Sequence, residues 1–285
     1  MMKILLFSTV CFVLFLACSY QQVSTELPQN EQVVVENPEG KTLQERFNTP
    51  EGFVRDSIDS NSFGVYLRNL PLKPAGSFVK IYDGRVKTKP NVYCAVVDLP
   101  IGKRDLHQCA DAVMRLRAEY LWSQKKYSAI HFNFTNGFRA NYSEWMKGKR
   151  ISVNGNSVSW VQNKPASNTS ADLWAYMEMV FNYAGTLSLS KELKTVAVKD
   201  MQIGDVFILG GSPGHAVIVV DKATNAKTGK QLFILAQSYM PAQEIQVLIN
   251  PNDEANSPWY SLDFGELLET PEWDFKATQL MRFAD

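Results

Sequence analysis

Residues 203–238 read IGDVFILGGSPGHAVIVVDKATNAKTGKQLFILAQS, and this stretch decides the second half of the fold. It reads as strands at 205–209, 216–220 and 232–236, largely apolar and of the length of buried strands, and a fourth follows at 245–249. The turns between them carry glycine, at Gly210-Gly211-Ser212-Pro213-Gly214 and at Thr228-Gly229. Short strands joined by tight turns predict an antiparallel meander. The glycine-rich turn is followed by a strand pattern and not a helix, so its glycines read as permitting a tight turn and not as a phosphate loop. His215 opens the second strand, where the sheet would hold its ring at a fixed position near the strand mouth.

Toward the N-terminus the period changes. A β-rich run at 92–99 precedes a helix whose start is marked by Asp105 and Gln108, spaced as a capping box, which places its first turn near Leu106. Cys109, Val113, Leu116 and Tyr120 form its apolar stripe, while Arg115, Arg117 and Glu119 lie off it. His107 also lies off the stripe and is expected at the surface. Ile130, Phe132 and Phe134 alternate with His131, Asn133 and Thr135, the pattern of a half-buried strand. Asn154-Gly155 marks a hairpin, and the segment 169–172 caps a second helix striped by Leu173, Tyr176, Val180 and Tyr183 and closed by Gly185. Helices early and strands late make the class α+β.

Two of these positions belong together chemically. Cys109 falls in the first turn of a helix, where unpaired N–H groups and the macrodipole favour an anion, so its thiol pKa is expected to fall. A thiolate beside an imidazole is the minimum for nucleophilic acyl transfer, and His215 supplies the imidazole. If the 216–220 and 232–236 strands pair as a hairpin, Gln237 returns to the same end of the sheet and can orient the ring. Gln237 brings no negative charge to a developing imidazolium. The alternative for Cys109 is a buried apolar thiol beginning a core stripe, and for His215 a ring satisfied by backbone at a turn. A Cys94–Cys109 disulfide is a further alternative for both thiols. His107, His131 and His215 have no metal-ligand spacing, and no cofactor is expected. Trp259, Tyr260 and Trp273, each near a proline, read either as stacking platforms for a ligand or as sheet-edge packing.

The runs at 203–207, 214–221 and 236–238 resemble the histidine half of papain-like cell-wall peptidases and amidases of the NlpC and CHAP type. That resemblance implies a papain-like antiparallel sheet, with the nucleophile on the N-terminus of a packed helix and a helical insertion. It also implies the chain order Cys109, His215, Gln237 for nucleophile, base and orienter. Longer stretches, GVYLRNLP at 64–71, ADAVMRLRAEY at 110–120 and SPWY at 257–260, are similar to an uncharacterised domain-of-unknown-function family (4846) of bacterial lipoproteins. This second resemblance spans most of residues 43–283 and implies no activity.

The other end of the chain sets the expected location. Met1-Met2-Lys3 and an apolar run stopping at Cys18 read as a signal peptide over 1–17, and Ala17-Cys18 resembles a lipobox, with Cys18 the lipidation site. Residues 18–42, poor in aromatics and carrying Pro28 and Pro38, read as a flexible tether to a single domain at 43–285. An extracytoplasmic, periplasm-facing protein anchored to a bacterial membrane by lipid is the expectation. The formal net charge is +0, and Lys and Arg are dispersed, so no nucleic-acid partner is expected. Two functions follow: a cysteine hydrolase or acyltransferase acting on peptide or amide bonds, with peptidoglycan peptide as partner, or a catalytically inactive lipoprotein binding wall material or a protein through the same cleft.

Overall fold

A computed structural model describes residues 36–284. The proposed signal peptide, Cys18 and the tether up to residue 35 lie outside the described residues. Among those described, no helix is long and apolar enough to cross a membrane.

The meander forms as its spacing predicts. Val206–Leu209, His215–Thr224, Gln231–Gln237 and Gln246–Leu248 pair antiparallel in that order. Tyr93–Val96 adds beyond Gln246–Leu248, and Leu280–Arg282 followed by Lys194–Thr195 adds beyond Val206–Leu209. His215–Thr224 is therefore central and covered on both faces, which explains its continuous apolar run. Alternate side chains go to opposite layers. Ala216, Ile218, Val220 and Ala236 pack with Ala112, Val113 and Leu116 of the helix Cys109–Ser123. Val217, Val219, Phe233 and Leu235 face the other way, onto Leu268 and Phe275 of the hairpin Leu267–Glu269 and Asp274–Lys276. The result is a mostly antiparallel sheet with few helices, an α+β domain.

Three expectations shift. The 36–42 segment, assigned above to the tether, is folded onto the domain: Glu36 pairs with Phe47, Thr42 pairs with Pro71, and buried Arg46 donates to the Gly40 carbonyl at 2.7 Å. The second helix, Ser170–Tyr183, is capped by Thr169 as expected, but its C-cap is Ala184. Gly185 instead begins a short helix, Thr186–Glu192, which the sequence pattern did not disclose. Tyr183 is 39% exposed, and Met177 and Phe181 complete the buried stripe in its place.

A buried ion cluster fastens the N-terminal segments to the central strand. Asp221, fully buried, accepts from Arg55 Nε at 2.7 Å, from Arg68 Nε at 2.6 Å and from the Lys222 N–H at 2.8 Å. Arg68 also donates to the carbonyls of Asp56 and Lys222. The helix Phe63–Arg68 and the strand Val54–Arg55 are thus tied to one carboxylate.

Candidate active site

The Cys109 helix starts later than its sequence signature suggests. Its N-cap is Gln108, whose N–H donates to Asp111 Oδ2 at 3.0 Å, so the reciprocal pair is Gln108 with Asp111 and the helix runs from Cys109. Asp105 is used elsewhere, accepting the Ala242 N–H at 2.7 Å and the Gln108 amide at 3.1 Å. Cys109 is thereby the first helical residue, where its N–H has no intrahelical acceptor. The backbone N–H groups of Ala110, Ala216 and Cys109 itself are close enough to the sulfur to favour the thiolate. The second contact matters most, because Ala216 directly follows His215.

His215 is held from several sides. Gly214 before it leaves no room for a Cβ, which would meet the Gly211 carbonyl and the Thr186 hydroxyl at 2.5 Å each. The ring sits 4.9 Å from Tyr239, 5.5 Å from Trp273 and 6.0 Å from Phe275, centroid to centroid. Its Nε2 lies 2.7 Å from Gln237 Oε1. The structure therefore brings His215 and Gln237 into direct contact and sets Cys109 against the adjoining amide.

The sequence reading missed a carboxylate behind the amide. Gln237 Nε2 donates to Glu272 Oε2 at 2.8 Å, and Lys87 Nζ donates to the same oxygen at 2.5 Å and to Gln243 Oε1 at 3.0 Å. Side chains of Lys87 and Glu272 are 6% and 5% exposed, so the ion pair is shielded from solvent. Glu272 occupies the turn between the two strands of the 267–276 hairpin, the same turn that carries Trp273 over the imidazole. Neither position has a periodic signal tying it to His215, and the pair's separation in sequence hid it.

Electrostatics correct the expected thiolate. Burial, with a smaller contribution from the neighbouring Asp111, pushes the Cys109 thiol up to about 11, outweighing the backbone donors. Burial likewise pushes His215 down to about 4, against the opposing pull of Gln237 and Glu272. Thiol and imidazole are both neutral at physiological pH in this closed arrangement. Asp111 is itself driven well above the usual carboxylate range by burial, with its Oδ1 left without a partner.

His107, expected at the surface, is fully buried: it lies edge-on to Phe181, and Nδ1 is 3.3 Å from the Gln243 carbonyl. Burial lowers its pKa to about 3. Cys94 and Cys109 are free thiols, which removes the disulfide alternative. Trp259 and Tyr260 are core side chains, whereas Trp273 belongs to the histidine site. Among the described residues, no group of three His, Cys, Asp or Glu is arranged to hold a metal ion.

A cavity of about 1000 Å³ lies elsewhere, between the far half of the Cys109 helix, His131 and the 201–204 turn. Arg117, the first residue of that helix to line it, is eight residues along from Cys109, roughly 12 Å at helical rise. Charges on its wall are partly spent on each other, Lys222 with Asp56 at 2.9 Å and Arg282 with Asp205 at 2.6 Å. It contains no cysteine, and volume alone does not make it the seat of chemistry.

The molecule is thus an α+β domain on a mostly antiparallel sheet, with a helix-start cysteine linked to a strand-start histidine through the Ala216 backbone and, among the described residues, no hydrogen bond between the two side chains. The chain belongs to the family described as domain of unknown function (4846), whose model matches residues 43–282. No curated protein and no solved structure matches the chain.

Proposed function

We propose that this protein is a cysteine hydrolase or acyltransferase of peptide or amide bonds, built on a papain-like arrangement. The observation that carries the proposal is the contact of His215 Nε2 with Gln237 Oε1 at 2.7 Å, with the Ala216 N–H next in the chain close enough to the Cys109 sulfur to favour its thiolate. With Nε2 taken by Gln237, Nδ1 is the ring nitrogen this reading assigns to the sulfur during attack. In the reaction, Cys109 sulfur attacks the carbonyl carbon as its proton passes to Nδ1. The Cys109 N–H stabilises the oxyanion. The carbon–nitrogen bond then breaks, the proton on Nδ1 goes to the leaving amine, and a thioester remains. Water, or an acceptor amine in the acyltransferase case, attacks the thioester and restores the thiol. With both partners neutral at rest, the proton moves during attack and the thiolate is not stored beforehand.

Residues 1–18 support an extracytoplasmic location with a lipid on Cys18, facing the periplasm, and such an anchor favours peptidoglycan peptide as substrate. Purified wall digested with wild type is expected to release new fragments by mass spectrometry that are missing with Cys109→Ala; identical products from both sink the hydrolase reading. The second reading, a catalytically silent domain that binds wall material or a protein, draws on the enclosure of the pair, with His215 2% and Cys109 9% exposed. It predicts that same absence of new fragments.

A further inference from the structure

We infer that Glu272, clamped by Lys87, is a positioning residue that fixes which way the Gln237 amide points and thereby which nitrogen of His215 carries the proton. A carboxylate only accepts hydrogen bonds, so the Gln237 atom 2.8 Å from Glu272 Oε2 is the amide nitrogen. The atom 2.7 Å from His215 Nε2 is then the amide oxygen, which also only accepts. His215 Nε2 must therefore be the donor, and in a neutral ring Nδ1 is bare. A glutamine alone has no such direction, because turning its amide by half a circle exchanges donor and acceptor at little steric cost.

The clamp is built for this task. Lys87 spans Glu272 and Gln243 Oε1, and Gln246 Nε2 donates to that same Gln243 oxygen at 3.0 Å, so two donors hold the Gln243 amide as well. Lys87 is placed by its own N–H on the Val79 carbonyl at 2.9 Å. The Glu272 carboxylate favours an imidazolium at His215 while the Lys87 ammonium opposes it, so the clamp acts chiefly by fixing the direction of the Gln237 amide. The consequence for turnover rests on the hydrolase reading, but the tautomer does not.

The test is nitrogen NMR on the intact protein with labelled histidine, reading the protonation of each His215 ring nitrogen at neutral pH. Wild type is expected in the Nε2–H form. Glu272→Gln lets the amide turn and should raise the Nδ1–H population by about tenfold or more, the loss of one charge-assisted hydrogen bond. Gln237→Glu added to that variant should restore Nε2–H, because a carboxylate is again the direct neighbour. A wild-type ring protonated on Nδ1, or an Nε2–H population unmoved in Glu272→Gln, overturns the inference. Thermal melts check folding, and the wild-type spectrum decides even if a variant does not fold. Failure of the wall digestion leaves the spectra unchanged, so the two ideas fail separately.

Discussion

Replacing His215 with alanine is expected to lower turnover on the order of 10⁵- to 10⁶-fold, Cys109→Ala to lower it as far, and the double variant no further than either alone. The reason is the neutral resting pair. A thiol raised to about 11 holds very little thiolate at pH 7, so almost all nucleophile must be generated by transfer to the imidazole during attack. Without His215 the thiol has no base, and without Cys109 the base has no nucleophile. An independent general base would instead make the two losses multiply. The same burial sets the pH profile. His215 is competent when neutral, and with its pKa lowered to about 4 the acid limb of kcat/KM is expected near pH 4 and not near 6.5. Steady-state rates of the three variants and of wild type across pH 3 to 9 check both statements; a twofold effect of His215→Ala would contradict them.

The second large effect is on stability. Asp221→Ala is expected to cost about 3–5 kcal/mol, because it strips the partner from two guanidinium groups, one of them buried, on the central strand. Arg68 keeps its carbonyl acceptors but loses its counter-charge, and the Lys222 N–H loses its acceptor. A domain of this kind has roughly 5–15 kcal/mol in all, so the variant should unfold at a much lower urea concentration. Arg55→Ala should cost less, since that side chain is 24% exposed and water partly replaces the pair. A fall of less than 1 kcal/mol for Asp221→Ala would show that solvent reaches the cluster.

Local chemistry made much of this legible in the sequence. Apolar runs bounded by glycine turns are read by neighbours close in the chain, and the meander came out in order; the register shift at Ile234 and Leu235 had no such signal. The return of Gln237 to His215 followed from that hairpin alone. The helix start was misplaced because Asp105-x-x-Gln108 and Gln108-x-x-Asp111 both satisfy capping spacing, and only the Ala242 N–H, far along the chain, takes Asp105 out of competition. His107 was misread because the chain before the helix turns inward beneath Phe181, where helical periodicity no longer applies. The direction of the Cys109 pKa was wrong for a related reason: a helix N-terminus is visible in sequence, whereas the depth at which it is buried is not. Glu272 and Lys87 belong to the same class, long-range partners from segments far apart in the chain with no shared period.

The most direct test of the Cys109–His215 pair needs no natural substrate. Treat the folded protein with an activated ester such as p-nitrophenyl acetate at neutral pH, and map the acylated thiol by mass spectrometry with Cys94 as the internal control. The account predicts acylation of Cys109 and not Cys94, slowed about 10²- to 10⁴-fold in His215→Ala. Acylation of Cys109 at the same rate with and without His215 would contradict it.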